Sequence, residues 1–311
     1  MRWVTFTPGL GALDQVGVLK GNAVYPLLDL PPGHGLLDLL GDDGTRLRLA
    51  AQRALARPSG IPVDSVSLRA PLPEPRSLRD GLGFLDHIKG CLIAAGQMSA
   101  HDELDEVWHQ TPAYYYSNHH SIMGPHDDVE IFPGSNAFDF ELEVAAVLGD
   151  GGRDLDLTEA QERIIGYTLM CDWTARDHQI DERLQHIGPA KSKDCGTSMG
   201  PWLLTADEFN VEAFVGIHLN GEVIAVGNPA GMDWDFASLI SYMSRGVEMR
   251  AGDVIGSGTV PGGCLLERTK NLDNFTGLQP GDIVELSGEQ LGSTRHTVLP
   301  ATDVHLLKSG Y

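Results

Sequence analysis

Three carboxylates in this chain have the residue types and spacing to hold a hard divalent cation. In Phe138-Asp139-Phe140-Glu141-Leu142-Glu143-Val144, apolar and acidic residues alternate strictly, and the run continues into Ala145-Ala146-Val147-Leu148. Period-two alternation marks a β-strand. Phe138, Phe140, Leu142 and Val144 then face a core, while Asp139, Glu141 and Glu143 leave on the opposite side. Two residues of strand separate the Glu141 and Glu143 backbones by roughly 6.5 to 7 Å. Their side chains can close that gap on one ion that takes carboxylate oxygens at about 2.0 to 2.6 Å. A second apolar run, Ile165 to Trp173, carries Asp172 at its end. A charge there is costly unless paired or ligating, which makes Asp172 the natural third carboxylate. The plainer alternative for the first strand is a solvated acidic face of an antiparallel sheet.

Other chemistry-bearing residues surround this trio. Asp80 and His87 lie seven apart in Arg79 to Lys89, a segment read as helix continuing through Ala95, which would put both on one side. A partly exposed surface helix is the plainer alternative. His119 and His120 are adjacent and point in different directions in any regular structure, so they make a weak joint metal site. Gly196-Thr197-Ser198-Met199-Gly200 has the G-x-S-x-G pattern of a nucleophile elbow but lacks the buried strand before it and the helix after it. Gly256 to Gly262 misses the third glycine of a dinucleotide fingerprint, and Pro261 interrupts where a helix would start.

These residues must be positioned by a β-rich α+β chain. Strands are expected at Arg2 to Phe6, at Gln15 to Lys20 and Ala23 to Leu27 across the Gly21-Asn22 turn, and at Phe214 to Leu219 and Glu222 to Val226 across Asn220-Gly221, a strong hairpin signal. Further strands are read at Gly252 to Ile255, Cys264 to Leu266, Asp282 to Leu286 and Thr297 to Leu299. Helices are expected at Arg46 to Ala56, Thr174 to Leu184 and Asp235 to Ser244, and a capping box at Thr158 to Gln161 opens another. Pro71, Pro73 and Pro75 stiffen a linker, dividing a small N-terminal lobe, 1–72, from a larger domain, 73–311.

With 22 basic and 43 acidic residues the chain carries a formal charge of −21. Such a surface repels phosphate backbones and anionic headgroups, which argues against nucleic-acid and membrane-surface partners. The four cysteines, Cys91, Cys171, Cys195 and Cys264, show no CxxC spacing. The first residues lack a secretory h-region, and no apolar run is long enough to span a bilayer. A cytoplasmic protein with reduced thiols is expected.

Four blocks, in this order, resemble the fumarylacetoacetate hydrolase superfamily: Phe140-Glu141-Leu142-Glu143; Gly166-Tyr167-Thr168 with Asp172-Trp173-Thr174-Ala175-Arg176-Asp177-His178-Gln179; Gly188-Pro189-Ala190-Lys191-Ser192 with Gly200-Pro201-Trp202; and Gly252 to Thr259. The resemblance runs from about Arg79 to the C-terminus. It implies a mixed β-sandwich roll, a homodimer, and a magnesium ion, or calcium or manganese, on Glu141, Glu143 and Asp172, with Asp80 as a further acidic ligand. It also implies His87 as general base, oriented by Glu267, with Lys191, Gln179, Thr259 and Tyr115 at substrate-contacting positions. Many short members of the superfamily carry a glutamate three residues after the histidine, where this chain has Gly90. There is no clear counterpart of the arginine and second tyrosine that grip fumarylacetoacetate, with Arg183 standing near the latter's place.

The activity so implied is metal-dependent hydrolysis of a carbon–carbon bond in a 2,4-diketo acid such as an acylpyruvate, in the catabolism of aromatic compounds. A decarboxylase or lyase, or a hydratase or isomerase, acting on a 2-oxo acid would use the same residues. A non-catalytic metal-binding paralogue is the third possibility.

Overall fold

The Asn220-Gly221 turn takes the conformation its sequence demands, with φ of 54° and 84°, and joins Val215–Leu219 to Glu222–Gly227. Both residues lie in the left-handed region that a primed hairpin turn requires. Gly21 and Asn22 likewise link Gln15–Lys20 to Ala23–Pro26. The computed structural model describes residues 1–9, 11–31, 33–269 and 275–305.

Most strands join one mixed twelve-stranded sheet. Its central path runs Arg2–Thr7, Thr197–Thr205, Ile164–Asp172, Leu142–Leu148, Asp253–Gly256, Ser77–Gly81 and Tyr114–Ser117. A five-stranded sheet, which includes Val215–Leu219, Ile283–Gly288 and Gly292–Leu299, packs on it. The largest apolar cluster holds Leu142, Val144, Leu169 and Cys171 of the first sheet with Val215, Ile217, Val284 and Val298 of the second. Sheet-on-sheet burial of this kind is the dominant stabilising contribution. The fold is thus α+β and β-rich, a mixed β-sandwich roll with few helices.

Residues 1–72 extend the sheet of residues 73–311. Arg2 and Trp3 stand opposite Leu204 and Leu203, and helix Thr45–Leu55 shares an apolar cluster with Ala145, Met170, Met199 and Val254. Three local expectations change. The box that caps helix Leu157–Glu162 is closed by Asp156 with Glu159, two residues before Thr158, because Asp156 accepts the Glu159 N–H and Glu159 returns to the Asp156 N–H. Leu265–Arg268 is a short helix where a strand was expected, since the carboxylate of Asp139 accepts the N–H groups of Leu265 and Leu266. Asp80 is in a strand, Ser77–Gly81, and only Leu85–Ala94 is helical. Pairing of residues 77–81 with both Asp253–Gly256 and Tyr114–Ser117 outweighs the local helical reading.

Candidate active site

The ends of neighbouring strands bring the carboxylates together. Asp172 closes Ile164–Asp172 and Glu143 opens Leu142–Leu148. The next strand separates Glu143 from Asp80, and its Gly256 stands opposite both Ala145 and Asp80. A Cβ at Gly256 would fall 2.3 Å from Asp80 Oδ1 and 2.6 Å from Met170 Cε, so a glycine here is what lets Asp80 lean across. Oxygens of Asp80, Glu143 and Asp172 lie within 4.8 Å of one another, and all three residues are buried. The face expected opposite the apolar alternation is therefore an interior one, not solvent. Glycine-rich Gly256 to Gly262 serves the same end: Gly258, at φ 78°, brings its N–H to Glu143 Oε2 at 3.0 Å.

Crowding leaves this trio poorly compensated. Burial and the Asp172 charge push the Asp80 carboxyl up to about 7. Burial, with Asp80 and Asp172, raises Glu143 well above the usual range, and burial raises Asp172 despite Lys193. Tyr115 Oη lies 2.7 Å from Asp80 Oδ2 and 2.5 Å from Asp172 Oδ2. A hydroxyl has one proton, so it serves one of them at a time. The other oxygens, Asp80 Oδ1 and Asp172 Oδ1, are buried with no hydrogen-bond partner among the described residues. Orphaned hard oxygens in a cluster of acids are what a divalent cation coordinates, so these residues fit the ion the sequence implied.

Glu141 sits apart from that trio. Arg176 Nη2 lies 2.8 Å from its Oε1, and the Lys193 ammonium binds its Oε2. Burial works against the Glu141 charge, but Lys193 and Arg176 outweigh it and hold the carboxyl well below the usual range. Arg176 Nε also donates to Asp139 Oδ2 at 2.9 Å. Lys193 Nζ reaches Asp172 Oδ2 at 2.6 Å and Thr174 Oγ1 at 2.7 Å.

The expectation for Lys191 is corrected here. Its side chain is 66% exposed and pairs with Asp194 at 2.5 Å, while that of Lys193 is 3% exposed. Both lie in the short helical turn Lys191–Lys193, whose rotation turns residues two apart to different sides.

His87 occupies the first turns of Leu85–Ala94, and its Nδ1 is 2.8 Å from Glu267 Oε2. Its Nε2 faces Glu141 Oε1 at 3.9 Å. Burial disfavours the imidazolium, but contacts with Cys264 and Glu267 outweigh it and raise the pKa to about 10. Glu267 is fixed by the Gly262 N–H on Oε1 and the Cys264 thiol on Oε2. Gly90, one turn along the helix, faces the same carboxylate. A Cβ there would lie 2.9 Å from Glu267 Oε1, so the glycine makes room for the acid.

His87, Tyr115, Glu141, Glu143, Gln179, Lys193 and Thr259 line one cavity of about 380 Å³. Gln179 Oε1 is oriented by Arg176 Nη1 at 3.3 Å. Arg183 and Trp108 lie on the same wall, and Arg183 is exposed. Of the residues expected from sequence, Lys191 alone falls outside this region; Asp80, Asp172 and Glu267 stand directly behind its lining.

Residues 78–299 match the model of the fumarylacetoacetate (FAA) hydrolase C-terminal family. A human mitochondrial oxaloacetate tautomerase is 29% identical over 290 residues, spanning 91% of this chain and 84% of that protein. A 2,4-didehydro-3-deoxy-L-rhamnonate hydrolase from Sphingomonas is 34% identical over 180 residues, 57% of this chain and 61% of that protein. Maleylpyruvate hydrolase from Sphingobium, solved with manganese and pyruvate, superposes with a TM-score of 0.73 at 21% identity over 97% of this chain and all of that one. The chain belongs to the fumarylacetoacetate hydrolase family.

Proposed function

We propose that this protein is a metal-dependent hydrolase that cleaves a carbon–carbon bond in a 2,4-diketo acid of the acylpyruvate type. The observation that carries the reading is that His87, paired with Glu267, lines the same cavity as Glu143 of the acidic trio and Lys193. Asp80, Glu143 and Asp172 would hold the cation, with Glu141 beside them. Magnesium is the first choice, and manganese or calcium would suit the same oxygen donors. When bound, such an ion polarises the substrate's oxo groups and offsets the acidic charge.

The protein's own residues then divide the work. Nδ1 of His87 is committed to Glu267, and because the raised pKa keeps the ring mostly protonated at neutral pH, the base is its neutral fraction, whose Nε2 takes a proton from water. The resulting hydroxide adds to the distal carbonyl carbon. Lys193 stabilises the oxyanion, and Gln179 and Thr259 hold the substrate. As the carbon–carbon bond breaks, its electron pair passes to the leaving enolate, and His87 returns the proton to that carbon. Tyr115 steadies Asp80 and Asp172. Arg183, at the cavity wall and without an ion-pair partner among the described residues, would meet the acid end of the substrate. A small soluble substrate, no nucleic acid or membrane, a homodimer and a cytoplasmic setting complete the proposal. Among the described residues no helix is long and apolar enough to cross a membrane.

A second reading has a specific support. The human relative spanning most of the chain is named an oxaloacetate tautomerase, and keto–enol exchange needs the same base and the same polarised carbonyl without water addition. The deciding experiment follows the ultraviolet absorbance of an enolised acylpyruvate on chelator-stripped protein before and after adding magnesium. Metal-dependent loss with release of pyruvate is expected. No loss with metal demonstrably bound overturns the hydrolase, and accelerated enol–keto exchange of oxaloacetate would then establish the tautomerase. His87→Ala should reduce turnover by about 10²- to 10⁴-fold with metal affinity retained; equal loss of both would remove the base assignment.

A further inference from the structure

Beside the oxygen-rich trio lies a second cluster of different chemistry. His87, Cys91 and Cys264 are buried, and a nitrogen and two sulfurs from them lie within 4.8 Å of one another. Glu267 joins them, with Oε2 at 2.8 Å from His87 Nδ1 and 3.3 Å from Cys264 Sγ. Cys91 Sγ is 3.8 Å from Nδ1 and 3.7 Å from Nε2. All four cysteines are free thiols.

We infer that His87, Cys91, Cys264 and Glu267 form a second metal site, suited to a borderline-soft divalent ion such as zinc, whose occupancy withdraws His87 from the reaction. The donor set is two thiols, an imidazole and a carboxylate, a combination that hard cations do not favour and zinc does. Around a tetrahedral zinc, with bonds of about 2.0 to 2.3 Å, donor atoms stand roughly 3.3 to 3.8 Å apart. The Cys264–Glu267 contact at 3.3 Å and the Cys91–His87 contact at 3.7 to 3.8 Å already have that spacing; the His87–Glu267 contact must open, and the nitrogen and two sulfurs, now within 4.8 Å of one another, must draw in around the ion. The ion would replace the protons now shared among these groups, since thiols bind zinc as thiolates. Burial holds the Cys264 thiol protonated in the free protein. The buried guanidinium of Arg176, whose field reaches both sulfurs, offsets the charge that two thiolates bring. A route in exists: His87 and Cys91 line the cavity, and Cys264 lies fully buried behind them.

The inhibitory half of this inference rests on His87 being the base; the site itself does not. Reduced wild-type protein, with its carboxylates saturated by excess magnesium, is titrated with cobalt(II). The expected result is a thiolate-to-cobalt charge-transfer band with the intense visible bands of tetrahedral cobalt, saturating at one equivalent and displaced by zinc. Zinc should inhibit acylpyruvate turnover in parallel, and Cys91→Ser and Cys264→Ser should each weaken that inhibition by more than about 10-fold. No sulfur band in the wild type overturns the site, whatever the variants do. Equal zinc inhibition in the variants would place the inhibitory ion on the carboxylates and overturn the withdrawal of His87. Cobalt and zinc bound through sulfur with turnover unchanged would keep the site and overturn the role of His87.

Discussion

Two sets of buried acids stand side by side and are handled in opposite ways. Asp139 and Glu141 are met by cations of the chain itself, Arg176 and Lys193. Asp80, Glu143 and Asp172 are met mainly by one another, with Lys193 touching only Asp172. Asp139, Glu141 and Glu143 even share one alternating stretch. The first set is a completed ion-pair network that locks residues 138–141 to helix Arg176–Leu184. The second is incomplete without a cation from outside. Burial alone therefore does not mark a site; buried acid without internal compensation does.

The contrast can be broken at several points. Asp139→Asn removes one partner of a buried pair that also receives the N–H groups of Leu265 and Leu266. It should cost about 3 to 5 kcal/mol of stability, read by denaturant unfolding; a loss no larger than for a surface substitution would make the network incidental. Lys193→Met should lower kcat by about 10²- to 10³-fold while leaving the fold in place, and unchanged kinetics would deny the lysine any part in the chemistry.

The incomplete set should show itself in pH dependence. The folded Asp80 carboxyl titrates near 7 against an ordinary 3.8, so its contribution is full below about 4 and lost as pH rises through 7. Glu143 acts in the same direction. The Tm of chelator-stripped protein should therefore fall across that window, and excess magnesium should abolish the fall. Identical profiles with and without the ion would contradict the contrast. The smallest effect is expected at Lys191→Ala, where an exposed pair with Asp194 is lost: within about 0.5 kcal/mol in stability, with kinetics unaltered.

Legibility followed locality. The alternation at 138–144 and the charge ending the strand at Asp172 are local patterns, and they led to the acidic centre directly. The seven-residue spacing from Asp80 to His87 suggests two helical turns, yet Asp80 lies in a strand and His87 in the helix after it, each beside different carboxylates. Spacing alone cannot tell these apart when tertiary pairing outweighs local propensity. Lys193 was missed because two lysines in one loop look alike until the turn fixes which is inward. Glu267 is 180 residues from His87 and came only from the family resemblance. Of the two thiols beside His87, Cys91 stands four residues on, one helical turn away, while Cys264 reaches the cluster only through the fold.

The glycine at position 90 constrains how this site can change over time. The acid that orients His87 can come from the helix, one turn beyond the histidine, or from Glu267, but a side chain at position 90 would fall against the Glu267 carboxylate, which must then shift. Exchanging one arrangement for the other takes two substitutions. Through Gly90→Glu first, the intermediate holds two acids in one place; through loss of Glu267 first, it holds an unoriented histidine. Each single step is harmful while the pair together need not be, so the two arrangements are separated by a valley of fitness, and lineages are expected to keep whichever they inherited.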